Sequence, residues 1–239
     1  MKAKWWTLCG GFVVIVAVGL LLYQKPPLLS PEVRAAAVQF LSIDDESDLV
    51  EPAAAAVVNN SLPPGVSLAK EQVITGAGNL AVRTFARVAA VNGDSQAVAC
   101  ERLLAWAATL RIPEGDRVAI GEFSSMDQDP SPKTSMGWRT YLVRKDPILT
   151  GADVQDTISQ GTNQGWAVAV RLNPDGTRRF GAYTRGNIKR RMATLVDGKV
   201  LSTAMIAGEV PDGRLQLTLP NGNSGRHLAD RFVHAITGR

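Results

Sequence analysis

Asp197-Gly198 stands between two apolar runs, Met192-Ala-Thr-Leu-Val196 and Val200-Leu-Ser-Thr-Ala-Met-Ile206. Asp-Gly in that setting is the strongest short-range hairpin signal, because both turn residues must take positive φ and few pairs do so cheaply. The hairpin constrains what flanks it. Upstream, Trp166-Ala-Val-Ala-Val-Arg-Leu172 alternates large apolar residues with small or polar ones, the period of a strand with one buried face. Asn173-Pro174-Asp175 then offers a helix cap, a proline for the first helical position and an acid on the positive end of the dipole. The helix is predicted to reach about Gly186-Asn187, with Phe180, Tyr183 and Ile188 inward. Downstream, Leu215-Gln-Leu-Thr-Leu219 alternates strictly and predicts another strand. Ser224 is expected to cap a last helix whose Leu228, Ala229, Phe232, Val233 and Ile236 share one face. Strand, helix, hairpin, strand, helix predicts an α+β unit, a small antiparallel or mixed sheet with helices on one face.

Several phrases in this stretch carry a resemblance. They are Leu149-Thr-Gly-Ala-Asp-Val154, Val170-Arg-Leu-Asn173, Gly176, Phe180, Thr184-Arg185, Asn187, Leu195-Val-Asp-Gly-Lys-Val-Leu-Ser202, Ile206, Gly213-Arg214 and Leu228-Ala229. Together the last ninety or so residues resemble the head of the first periplasmic domain of the SecD family, with its ferredoxin-like fold. Tyr141-Leu-Val-Arg-Lys-Asp-Pro147 is similar to the end of that family's base subdomain. One departure is that Thr203-Ala204 stands where the family has Ala-Pro. The resemblance implies a module of protein export whose partners are protein, either translocon subunits or an unfolded exported chain. It also implies that the proton-driven membrane portion of SecD is not part of this sequence. An envelope adaptor that reuses the head fold for another protein is the alternative, because fold does not fix function.

The sequence begins with an apolar run. From Trp5 to Tyr23 it spans about 19 residues, roughly 28 Å of helix, enough for a hydrocarbon core. Trp5, Trp6 and Tyr23 mark its two ends, and Lys2 and Lys4 precede it. These features predict an uncleaved single-pass anchor through residues 5–23, N-terminus cytoplasmic and the bulk on the other side. The resemblance implies that the membrane is a bacterial inner membrane and the bulk periplasmic. Cys9 precedes the apolar core, so it is not placed as a lipoprotein acylation site. The expected organisation is an anchor at 1–24, a stalk at 25–65, an α+β base-like region at 66–148 and the head at 149–239. Pro26, Pro27 and Pro31 suggest the stalk; within it 32–41 is a candidate short helix and Asp44-Asp-Glu-Ser-Asp48 a solvated acidic turn. In the base-like region, Leu80–Val88, Arg117–Phe123 and Trp138–Val143 are predicted strands. Ser95 should cap a helix around Cys100, which is placed as a buried small hydrophobe.

Charge is uneven. Residues 26–80 carry 2 basic and 7 acidic groups, and residues 139–239 carry 15 and 8, so −5 against +7. No basic run exceeds Lys189-Arg190-Arg191 and no stacking aromatics accompany it, which argues against nucleic acid as a partner. Gly76-Ala-Gly78 lacks the rest of a phosphate loop. Two cysteines give no disulfide framework and no cysteine metal site. His227, Asp230 and His234, at i, i+3 and i+7, share one helix face and could in principle hold a metal. They are expected instead to be the solvated face of an amphipathic helix. No two carboxylates stand out as an acid–base pair. The sequence therefore predicts no enzyme, no catalytic residues, no cofactor and no metal.

Overall fold

The computed structural model describes residues 28–50, 62–76, 78–89, 95–124, 136–163, 165–220 and 222–239. The expected anchor at Trp5–Tyr23 lies outside them, as do Ala53–Val58, Asn92-Gly93-Asp94 and most of the polar loop before Gly137. Among the described residues no helix is long and apolar enough to cross a membrane.

In chain order the elements are α1 (Pro31–Ala37), β1 (Val38–Ser42), β2 (Val66–Ile74), β3 (Leu80–Ala89), α2 (Gln96–Ala107), β4 (Asp116–Ser124), β5 (Met136–Arg144) and β6 (Leu149–Thr150). A single 3-10 turn at Gly151–Asp153 leads to β7 (Val154–Thr162), β8 (Gly165–Leu172), α3 (Pro174–Gly186), β9 (Arg191–Val196), β10 (Lys199–Met205), β11 (Arg214–Leu219) and α4 (Gly222–Thr237). The class is α+β, as expected. The strands divide between two sheets: an eight-stranded one in the order β2-β3-β5-β4-β10-β9-β1-β6, and a three-stranded one in the order β11-β8-β7. The hairpin β9–β10 therefore belongs to the large sheet, while the strands on either side of it in sequence, β8 and β11, belong to the small one.

The hairpin forms as the dipeptide predicts. Val196 pairs with Lys199 across the turn, and Asp197 and Gly198 sit at φ 49° and 75°. Asn173 caps α3, its Oδ1 accepting the Gly176 N–H at 2.8 Å, and Ser95 caps α2 through the Val98 N–H at 3.3 Å. Phe180 is buried and Tyr183 half-buried, but Ile188 is exposed, because it follows the end of α3 and so escapes the helical face. The last helix starts at Gly222, so Ser224 lies inside its first turn and not at its cap.

The expected stalk is corrected most. The 32–41 helix is only α1, and it gives way to β1 at Val38. Pro31 does not break the structure; it opens α1 behind a Ser30 cap. β1 pairs antiparallel with β9 from Val38↔Val196 to Ser42↔Met192, and Val38, Phe40 and Leu41 are fully buried. Alternating apolar residues with a ready partner strand win over helix propensity here. The acidic run is not a solvated turn: Asp44 and Asp45 are buried. β2, β6 and β7 were not legible; β7, Val-Gln-Asp-Thr-Ile-Ser-Gln-Gly-Thr, is a polar edge strand with mostly exposed side chains.

The large sheet curls until it nearly closes. At the end of β1, Ile43 bridges antiparallel to Val143 of β5, and the Asp44 N–H donates to the Leu142 carbonyl at 2.9 Å. Inside the curl lie Leu41, Ile43, Ala119, Val143, Ala193, Leu195 and Val200, one set from each of β1, β4, β5, β9 and β10. The outward face of the large sheet packs twice more. Ala86, Val88, Ile120 and Trp138 pack under α2 with Ala99, Cys100, Leu103 and Trp106. Burial raises the Cys100 thiol pKa, in keeping with a small hydrophobe. Val38, Phe40, Met192, Val196 and Leu201 pack under α3 and α4, and share that core with Val168, Val170, Leu172 and Leu217 of the small sheet.

Two outcomes follow. Phe232 is fully buried and meets the Phe40 ring edge-on at 6.4 Å. Phe232→Ala in the full chain is expected to lose about 3–5 kcal/mol in denaturant unfolding, since it leaves a ring-sized cavity. Gly198→Val places a β-branched residue at positive φ and is expected to cost more than about 1 kcal/mol, read as a lowered melting temperature. Nothing crowds a side chain at Gly198, so that loss would come from the backbone conformation alone.

Candidate functional site

The turn between the two sheets sets their relative position. Leu149 and Thr150 pair with Phe40 and Gln39 in the large sheet; a few residues later Val154 opens the small one. The 3-10 turn between them is held from every side. The Asp153 carboxylate accepts the Thr150 N–H at 2.8 Å and pairs with Arg179 of α3. The Asp153 carbonyl accepts the Asn173 N–H at 2.8 Å, and the Asn173 side chain donates to the Ala152 carbonyl at 3.2 Å. Arg34, buried on α1, donates to the Leu29 carbonyl at 3.0 Å, the Gly151 carbonyl at 2.9 Å and the Val154 carbonyl. Gly151 lies so close to the Arg34 carbonyl that a Cβ there would overlap it. Leu149, Gly151, Asp153, Asn173 and Gly176, all within the resembling phrases, thus converge on one joint.

Across that joint two strand edges flank a cleft. β10 pairs with β4 only at Lys199 and Val200; a bulge follows, and Ser202–Met205 keep β9 as their strand partner. β11 pairs with β8 along its whole length from Arg214 to Leu219. The sides of β10 and β11 turned to each other carry no strand partner among the described residues. They meet at one end, where the Ser202 hydroxyl lies 3.5 Å from the Thr218 carbonyl, and leave a cleft of about 460 Å³ between them. Its apolar floor includes Phe40, Phe180, Met192, Ile206 and Leu217, while Thr203, Ala204 and Met205 on the rim are exposed. The loop that closes the far end is tied to α3: the Val210 N–H donates to the Thr184 hydroxyl at 3.0 Å, and Arg185 pairs with Glu209 at 2.6 Å.

His227, Asp230 and His234 are exposed on α4, opposite its buried Leu228, Phe232 and Ile236. Asp230 lies 3.7 Å from Arg226 on the same helix. Trp166 packs half-buried at the edge of the core. The structure does assemble charged groups that sequence spacing did not reveal. Asp45 takes a bidentate grip on Arg191, which also meets Glu71 at 3.1 Å; Glu71 meets Arg139 at 2.8 Å, and Arg139 stacks on Phe85 and Tyr141. Burial works against the Glu71 charge, but Arg139 and Arg191 hold its carboxyl below the usual range. This network ties β9 to the segment after β1 and to β2 and β5. With every charge partnered, it is suited to fixing register and not to reacting with a substrate.

Comparison with known proteins completes the picture. Solved SecDF structures align at low similarity. One, from work on a membrane component that enhances protein export, gives 19% identity and a TM-score of 0.34 over 82% of this chain and 92% of that one. Another, SecDF from Thermus thermophilus, gives 20% identity and a TM-score of 0.32 over 94% of this chain and 34% of that one. Among curated proteins, the protein translocase subunit SecD of Anaeromyxobacter dehalogenans is 34% identical over 132 residues, covering 52% of this chain and 20% of that protein. The SecD of Acidaminococcus fermentans is 30% identical over 109 residues, covering 43% of this chain and 26% of that protein. The chain therefore spans about a fifth to a quarter of the length of these relatives. A family model, the SecDF P1 head subdomain, matches residues 126–229, the span that holds the joint and both edges of the cleft. Through these residues the chain is similar to the SecD family, the likeness lying in the P1 head subdomain.

Proposed function

We propose that this chain serves protein export, and that its head holds an extended stretch of polypeptide in the cleft between β10 and β11. The observation that carries this reading is the pair of strand edges. Each offers backbone N–H and C=O groups on one side of an apolar floor, which is the requirement for strand addition. Main-chain pairing reads no particular side chain, so it suits a partner whose sequence varies from one client to the next. The floor of Phe40, Phe180, Met192 and Leu217 adds burial for apolar residues of such a segment. Similarity to SecD supports export as the setting, since the relatives are translocase subunits. The apolar run at Trp5–Tyr23 would hold the module at the inner membrane, with the head in the periplasm. In this reading the module binds and does not catalyse, and its partners are an exported chain or translocon subunits.

The test is site-specific crosslinking in intact cells. A photo-reactive residue at Thr203, exposed on the β10 rim, is expected to capture exported precursors while they are in transit. The same group at Leu104, exposed on α2 away from the cleft, should not. Crosslinks from Thr203 only to a folded envelope protein would favour the adaptor reading, and none to any polypeptide would end the cleft assignment. His227→Ala with His234→Ala is expected to leave crosslinking and complementation unchanged. A well-folded but inactive double variant would return those histidines to consideration as a functional set.

A further inference from the structure

The place where the large sheet closes on itself carries an unusual pair of side chains. Asp44 directly follows the Ile43–Val143 bridge, and its N–H makes the seam hydrogen bond to Leu142. Asp116 opens β4 opposite Arg144, and the Lys145 N–H donates to the Gly115 carbonyl beside it at 2.8 Å. Both aspartates are buried, and the Asp116 side chain is wholly inaccessible. Asp44 Oδ1 accepts the Glu46 N–H at 2.9 Å. The other three carboxyl oxygens, Asp44 Oδ2 and both of Asp116, are buried and accept no hydrogen bond among the described residues, Asp116 Oδ1 having only the ion-pair approach of Arg144 Nη1 at 3.2 Å. Three such acceptors at one spot are costly unless a proton lies between the two carboxyl groups.

We infer that Asp44 and Asp116 share a proton and act as a pH-sensitive clasp on the seam between β1 and β5. With the proton in place, Asp116 donates to Asp44 and the seam is held. Without it, two buried carboxylates face each other and the seam is strained. Burial, then the hydrogen bond and charge of Asp44, push the Asp116 pKa up to about 6. For Asp44, burial alone would raise the pKa, but the Ser47 side chain, the Glu46 N–H and Asp116 hold it below the usual range. Arg144 and Lys145 at the end of β5 oppose the rise at Asp116. The Arg144 side chain is 49% exposed, so its 3.2 Å approach to Asp116 is weakened by solvent. Asp45, Glu71, Arg83 and Arg191 line the small cavity beside Asp44, and they are engaged in the network and in pairs of their own, Arg83 with Asp48 at 3.7 Å.

The direction follows from the raised value. Asp116 binds its proton more tightly folded than unfolded. Its contribution is complete below its unfolded pKa and is lost as pH rises through about 6. Asp44, with a lowered pKa, acts only at lower pH and with the opposite sign. Between pH 5 and 7.5 the seam should therefore tighten as pH falls. This inference is independent of the cleft and of the export reading.

Amide hydrogen exchange on the full chain in detergent micelles tests it, with rates corrected for intrinsic pH dependence. Protection of the Asp44 N–H is expected to be about tenfold greater at pH 5 than at pH 7.5. The Leu172 N–H, bonded to Gly213 at 2.9 Å in the small sheet, serves as reference and should change less than about twofold. Asp116→Asn keeps the shape and supplies a permanent donor to Asp44. It should hold the Asp44 N–H at the protected level across the whole range. A pH-independent Asp44 amide in the parent chain, or an unchanged pH response in Asp116→Asn, would overturn the clasp. Should that variant not fold, a carbon-13 titration of the parent carboxyls decides: Asp116 titrating near an ordinary aspartate overturns it, and near 6 supports it.

Discussion

The fold depends on one turn, Gly151–Asp153, where the chain leaves the large sheet and enters the small one. A turn of three residues has almost no hydrogen bonds of its own, so its geometry must be imposed from outside. Here two charged side chains do so from opposite directions. Asp153 binds the backbone before it and the guanidinium of Arg179, while Arg34 reaches across from α1 to satisfy the carbonyls of Gly151 and Val154. Both are buried, so each would be expensive without its partners. The arrangement is therefore nearly all or none. The cleft inherits its shape from this joint, because β10 hangs on one side of it and β11 on the other. The same logic explains the phrase Leu-Thr-Gly-Ala-Asp: Leu149 is fully buried, Gly151 admits the Arg34 carbonyl, and Asp153 ties the knot.

A second constraint is the curl of the large sheet. Eight strands with a natural twist can curve far enough for a distant strand to meet the near one. Ile43 and Val143 achieve this contact, and the small residues Ala119 and Ala193 leave room for Leu41, Leu195 and Val200 inside. The Asp45–Arg191–Glu71–Arg139 network runs from β9 across the segment after β1 to β2 and β5. Ion pairs of this kind contribute little net stability once desolvation is counted, but they penalise any other register. The head is thus not self-contained: its β9 leans on β1, and its core needs Val38 and Phe40 from well before residue 126.

Local chemistry determined much of this protein in advance. The Asp-Gly turn, the Asn173 and Ser95 caps, the alternation in β8 and β11 and the amphipathic α4 all depend on interactions within a few residues, so they could be read from the sequence. So could the likeness to the SecD head, from phrases whose residues turn out to meet at the joint. The tertiary structure decided what depends on partners distant in sequence. It made 38–42 a central strand where a stalk was expected, because β9 offered an edge. It turned an acidic run into buried ion pairs, because Arg191 and Arg83 reach it from other strands. It split the strands between two sheets, and so created the cleft edges that no local pattern encodes. Asp44 and Asp116 look like ordinary surface aspartates in the sequence. Only the closing of the sheet removes both from water and sets them together, and a carboxyl group's proton affinity is fixed by that environment and not by its neighbours along the chain.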